Sequence, residues 1–476
     1  MIGSLTRTIG AGAGWANGLG LGLAVLLAAA LLGSSGPGDA QAQAAADSAR
    51  FLGVASCAGS TCHGRMEGDG SVVRQDELMR WQEPSTPGGA HARAFAVLSN
   101  NRSAFIARNL GIGDAAAAPM CLGCHSSDAV GGAAFRSDGV GCESCHGPSG
   151  GWIAGHYAGV GTTADPDAEM RSRHLANLAA GLMKLEDPRV RARVCLDCHY
   201  GSAADGQFVT HRIMAAGHPR IAFELDLFST LQAHHAEDRD YAVRKGAPDH
   251  IQLWAVGQAA ALGRSLALFQ SRRGTEGVFP EFTFYDCHSC HRRIFDVAKP
   301  VRSGVDNPGR GGLPEGMPPY NDENMILLAA AARLADAALA GEFDARGKAF
   351  HAAMAKDRAA AAAAAAALAQ TAAKLEAAFA ARSFAPGEGF GLIDQIAGTA
   401  IAPRFTDYAG SVQAVMGVDT LLGALVGSGR ITIGAAAGIR SDIDRAYGAV
   451  KDPNAYRPAD FQASLGSAVR AIRALE

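Results

Sequence analysis

The chain has 476 residues, enough for two domains once an N-terminal leader is set aside. Its 43 Lys and Arg against 46 Asp and Glu leave a formal charge of −3. That balance argues against a nucleic-acid-binding role, which needs a basic surplus to neutralise phosphates.

Residues 1–42 read as an export signal. Arg7 precedes an apolar stretch from Gly18 to Leu32, followed by a Gly/Ser/Pro hinge and the small-residue pattern Ala40-Gln41-Ala42. The stretch is shorter than the roughly 20 residues of a bilayer span. Cleavage and a periplasmic location are therefore expected, with an uncleaved N-terminal anchor as the lesser alternative. No later segment reads as long, apolar and charge-free enough to span a membrane.

From residue 43 to 300 the sequence is irregular, rich in Gly and short turns, and it contains all ten cysteines. They fall into five motifs, each closed by a histidine: Cys57/Cys62-His63, Cys121/Cys124-His125, Cys142/Cys145-His146, Cys195/Cys198-His199 and Cys287/Cys290-His291. Four have the spacing C-x-x-C-H, the attachment signature of c-type haem, and the first is C-x-x-x-x-C-H. Two thiols add to the porphyrin vinyl groups, and the adjacent imidazole binds the iron from the same side. Positions i, i+3 and i+4 share one helical face, so all three groups meet one flat ring. The wider first motif must loop out residues to serve the same purpose. Closed zinc sites take four protein ligands from paired half-sites, and disulfides would suit an exported chain, but neither gives every second cysteine its own histidine. Five covalent haems c are expected, and the porphyrins supply much of the apolar core that this region lacks.

Residues 301–322, with Gly304, Pro308, Gly309, Gly311, Gly312, Pro314, Gly316, Pro318 and Pro319, form a breaker-dense linker. Residues 323–476 change to Ala-rich helix. Asp322 is placed to cap a helix running to about Leu339, and residues 359–367 are close to polyalanine within a helix over Phe343–Arg382. Further helices are expected near Phe405–Val426 and Ser441–Val450. The last begins at Pro458 and repeats Phe461, Leu465, Val469 and Ile472 on one face. The fold class expected is mainly α with extensive irregular loops: a multihaem domain followed by an α-helical bundle.

Ten histidines remain beyond the motifs: His91, His156, His174, His211, His218, His234, His235, His250, His288 and His351. A bis-histidine haem needs a second imidazole, which tunes its potential and reactivity. His211 and His218 are two helical turns apart, so one helix can present both on one face. Only a short Gly/Ala/Ser-rich stretch separates His125 from Cys142, which makes the second and third haems expected neighbours.

The segments Gly141-Cys-Glu-Ser-Cys-His-Gly-Pro148 with His156, and Met214-Ala-Ala-Gly-His-Pro-Arg-Ile-Ala-Phe-Glu-Leu225, together with His91-Ala-Arg-Ala-Phe and Cys57–Gly64, carry a resemblance. They resemble the multihaem cytochromes c related to the nitrifier tetrahaem cytochrome that accepts electrons from hydroxylamine oxidoreductase. The resemblance covers roughly residues 50–300. It implies His91, His156, His174, His211 and His218 as distal ligands, with His234 and His235 in reserve. His288, His250 and His351 are read as ordinary or solvated. The fifth motif and the helical C-terminal region depart from the tetrahaem pattern.

The leading functional expectation is an exported pentahaem cytochrome that transfers electrons between redox proteins, among them a membrane-bound quinol-oxidising or quinone-reducing complex. With ionised propionates the haems bring the net charge to about −8, which favours a partner with a basic face. The alternative is an oxidoreductase acting on a small nitrogen or sulfur compound. It requires one five-coordinate haem, which the resemblance allows, with acid/base groups beside it. No catalytic side chains are singled out.

Overall fold

A computed structural model describes residues 50–68, 74–127, 131–158, 164–275, 279–291, 308–310, 313–314, 316–399 and 408–476. The export signal, Ala40-Gln41-Ala42 and most of the 301–312 stretch lie outside the described residues. The fold is mainly α, 66% helical with no strand among the described residues. One isolated antiparallel bridge joins Tyr285 to Tyr320.

Between residues 50 and 249 the helices are short, and local signals explain where they start. Asn100 caps Asn101–Leu110 by accepting the Ser103 N–H, and Gly111 ends it in the left-handed region at φ 70°. Asp165-Pro166 and Asp187-Pro188 pair an acidic cap with proline at the first helical position, opening Pro166–Ala179 and Pro188–His199. Buried apolar residues here form only small separate clusters, such as Val54, Leu78 and Trp81, or Leu98, Ala107, Ala115 and Leu122.

The main core begins at helix His250–Gln270, which Asp249 caps through the Gln252 N–H. This helix is encoded before the Pro/Gly-rich stretch, yet it shares one continuous core with the C-terminal helices. Trp254, Leu266 and Phe269 pack in that core with Leu327, Phe350, Leu375, Phe379, Leu421, Phe461 and Ile472. The helices expected from composition are present with shifted ends. The one beginning after Asp322 stops at Ala335, where Asp336 turns extended and caps Ala337–Met354 through the Ala338 and Leu339 N–H groups. The polyalanine tract lies in Arg358–Ala380, followed after the intervening turn by Glu388–Thr399, Tyr408–Gly427, Ile433–Ala449 and Pro458–Arg473. Phe461, Leu465, Val469 and Ile472 are all buried. One segment departs from the sequence expectation: Tyr408–Gly427 does have the length and hydropathy of a membrane span. Its most apolar window is 72% buried inside the protein, which marks the central helix of a folded core equally well.

The C-terminal helices meet the cysteine-rich region through polar contacts. The Tyr200 hydroxyl donates to Asn324 Oδ1 at 2.5 Å, Arg220 pairs with Glu323 at 3.0 Å, and Gln413 donates to the Phe223 carbonyl at 2.9 Å. Tyr456 packs edge-on against His288, with ring centroids 5.2 Å apart.

Candidate functional site

Each motif sits on a local turn that gathers its thiols. Cys121, Cys124 and His125 occupy the last turns of Pro119–His125, and Cys195, Cys198 and His199 those of Pro188–His199. Cys142–His146 is itself a single helical turn. Cys287–Ser289 is a 3₁₀ turn capped by Asp286, whose carboxylate accepts the Ser289 N–H and hydroxyl. In the wider first motif the extra residues loop out. The His63 N–H closes back on the Cys57 carbonyl at 3.1 Å, and the Cys62 N–H donates to Gly59 at 2.8 Å. Gly64 is required there, because a Cβ would lie 1.9 Å from the Ala58 carbonyl oxygen.

Cys290 stands apart from the other motif thiols. It is exposed, whereas the other nine cysteines are all partly covered. The reason is local. The fifth motif closes as one tight 3₁₀ turn rather than at the end of an α-helix, and Cys290 is the residue that terminates it, its N–H on the Cys287 carbonyl at 3.2 Å. Cys287 stays half-buried, near enough to Arg220 to feel its charge. A ring held at this motif would be anchored on its inner side by Cys287 and would present its Cys290 side to water.

Opposite every motif histidine stands a second imidazole. Ring centroids are 6.0 Å apart for His63 and His156, 6.1 Å for His199 and His91, 6.3 Å for His125 and His218, and 6.1 Å for His291 and His211. His146 faces two rings, His234 at 6.2 Å and His235 at 5.7 Å. Metal–imidazole bonds of about 2 Å on opposite faces of one iron, with the ring offset added, put two centroids about 6 Å apart. The five arrangements fit a six-coordinate haem iron.

Several of these rings have a polar neighbour at Nδ1, whereas the Nδ1 of His199 is buried without a hydrogen-bond partner. Nδ1 of His125 bonds the Ala94 carbonyl at 2.8 Å, that of His218 the Pro219 carbonyl at 2.7 Å, and that of His234 the Gln232 carbonyl at 3.0 Å. The Asn177 amide lies 3.1 Å from His156 Nδ1. His63 differs: its Nδ1 bonds the Glu77 carboxylate at 3.0 Å. The carbonyl and carboxylate partners, which accept from Nδ1, fix the tautomer and raise ligand basicity. Burial pulls the pKa of His156 and His199 down to about 4 and that of His235 to about 3. Neutral imidazole is the form that binds iron. Glu77 works the other way on His63, whose pKa its hydrogen bond raises. Burial pushes the Glu77 carboxyl up, but the two imidazoles of His235 and His63 beside it outweigh that and hold the group well below the usual carboxylate range.

Of the distal positions implied by the resemblance, His91, His156, His211 and His218 stand opposite motif histidines. His174 does not: it is buried with its Nε2 2.6 Å from Glu186 Oε1, so its ring is turned to a carboxylate. His234 and His235 occupy the place across from His146. The tandem pair is half-buried, and a histidine doublet in a loop does not announce that. His250 bonds Asp226 at 2.8 Å, and His351 bonds the Gly347 carbonyl one helical turn back at 3.0 Å. Glu77, Asn177 and Glu143 carried no sequence signal. Glu143, inside the third motif, accepts the N–H groups of Leu52, Gly53 and Ser149 and the Ser149 hydroxyl at 2.6–3.1 Å, clamping the approach to the first motif onto the third.

The motifs also touch one another. The Cys57 thiol lies close enough to Cys142, and the Cys124 thiol close enough to Cys198, to have its pKa lowered. Cys145 is near enough to Cys195 to raise its pKa by charge, although burial is the larger cause. Ser127, just past the second motif, bonds Ser144 inside the third at 3.0 Å. Beside His199 opens a cleft lined by Tyr200, Phe208, Met214, Phe284 and the paired Arg220 and Glu323. Aromatic walls suit a flat macrocycle.

Residues 56–147 match the family model described as cytochrome c554 and c-prime, a span that includes the first three motifs. No curated protein and no solved structure matches the chain. The family match supports a c-type cytochrome of the multihaem kind, with covalently bound haem c and a part in electron transfer.

Proposed function

We propose that this is a pentahaem c-type cytochrome, exported to the periplasm, that carries electrons between protein redox partners. The observation that supports this reading is the second imidazole opposite each of the five motif histidines, at 5.7–6.3 Å between centroids. Bound haem supplies one-electron redox chemistry at its iron. With His63, His125, His146, His199 and His291 on one side and His156, His218, His234 or His235, His91 and His211 on the other, no iron keeps an open position for a substrate. That favours a carrier over an enzyme. The thioether positions run from the first motif to the third, from the third to the fourth and from the fourth to the second. Adjacency of this kind is what a carrier with several haems needs.

The partners proposed are redox proteins with a basic face, a quinol-linked membrane complex among them. Purified full-length protein tests the reading. Intact mass should exceed the cleaved polypeptide by five haem masses, and every ferric haem should be low-spin. A high-spin fraction that binds carbon monoxide when reduced would favour the enzyme reading instead.

A further inference from the structure

We infer that Glu77 is a positioning residue shared by two haem sites, its one carboxylate strengthening both a ligand of the first motif and a ligand of the third. The inference rests on the pentahaem reading. Glu77 Oε2 lies 3.0 Å from Nδ1 of His63, and Oε1 lies 3.8 Å from Nδ1 of His235, beyond hydrogen-bond length but close enough for the carboxylate charge to act on that ring. The Glu77 side chain is only 13% exposed, so water screens these contacts poorly. The contact is held from two sides, because the Leu78 N–H next to Glu77 also bonds the His63 carbonyl at 2.9 Å. His235 Nε2 is buried with no hydrogen-bond partner, the state of a ring nitrogen that faces a metal position while its Nδ1 faces the carboxylate.

The contrast with the other sites gives the inference its content. Nδ1 of His125, His218 and His234 meets backbone carbonyls, which are neutral acceptors. A carboxylate pulls harder on the Nδ1 proton, gives the imidazole anionic character and stabilises ferric over ferrous iron. The negative charge acts in the same direction. The first haem, and the third to the extent that His235 is its ligand, should therefore be harder to reduce than Glu77-free sites of the same type would be.

The test is an EPR-monitored redox titration of the full-length, haem-loaded Glu77→Gln protein. The expected result is unchanged haem content and spin state, with the midpoint of the signal from the His63/His156 site moved upward. Asp76→Asn removes a charge one residue away without touching an imidazole, and it should leave that midpoint in place. An unchanged titration in the Glu77→Gln protein overturns the inference, as does an equal shift from Asp76→Asn. If Glu77→Gln does not accumulate, Glu77→Asp withdraws the carboxylate by one methylene and should move the same midpoint upward; no movement there overturns the inference too. A wild-type protein lacking haem at Cys57 and Cys62 removes the pentahaem reading along with it, whereas an unchanged midpoint in a fully loaded variant removes only the role of Glu77.

Discussion

The imidazole planes of His63 and His156 are only 25° from parallel across their 6.0 Å gap. His211 and His291 are similar at 35°. The others are crossed: 71° for His91 and His199, 85° for His125 and His218, and 87° for either partner of His146. Plane orientation decides how far the iron dπ orbitals split, and protein packing sets that orientation.

The EPR spectrum of the oxidised protein should therefore contain two classes of low-spin haem. The near-parallel pairs give two rhombic signals, and the crossed pairs give three signals with large g anisotropy. A spectrum with five signals of one class would contradict the ring orientations.

Replacing His218 by Ala should turn one low-spin haem high-spin while all five stay attached, since the thioethers at Cys121 and Cys124 are untouched. His174→Ala should leave the absorption spectrum as it is, because His174 faces Glu186 and no motif histidine. Electronic spectra of the two purified variants decide the matter; a high-spin signal from His174→Ala would return that residue to the ligand set.

The tandem pair opposite His146 predicts redundancy. His234, His235 and His146 offer ligand atoms that all lie within 4.8 Å of one another, and one iron accepts only one further imidazole. Either His234→Ala or His235→Ala alone should keep the third haem low-spin, and the double variant should make it high-spin. A high-spin signal from one single variant would name that residue as the sole ligand.

How much of this was readable beforehand differs by kind of interaction. The cysteines and motif histidines are local, so spacing alone exposes them. Spacing does not carry their burial, which is why Cys290 reads like the other nine and yet lies at the surface. The ring across each gap comes from distant chain, upstream for His199 and downstream for His63 and His125, and no periodicity encodes that choice. The helical C-terminal half was legible from composition and from Pro458. The break at Asp336 was not, because Asp336 interrupts an otherwise continuous alanine pattern through a cap whose strength depends on side-chain geometry. Glu77 was illegible for the same reason, as a single carboxylate among 46 acidic residues that acts through contacts at 3.0 and 3.8 Å.

Removing the region after Pro319 should leave a fragment that aggregates. Helix His250–Gln270 would expose Trp254, Leu266 and Phe269, each now fully buried, and each large apolar side chain returned to water costs about 1.5–3 kcal/mol. Size-exclusion chromatography of the fragment checks this. A monodisperse fragment with five haems would show that the C-terminal helices are a separable docking module.

The Glu143 clamp bears on how the protein is made. Leu52 and Gly53 find their acceptor only in a side chain from the third motif, and His63 finds its opposite ring later still, at His156. A chain emerging N-terminus first therefore displays Cys57 and Cys62 before the Glu143 carboxylate and the His156 ring are there to meet them. A chain that stalls before residue 143 therefore lacks the carboxylate that accepts the Leu52 and Gly53 N–H groups.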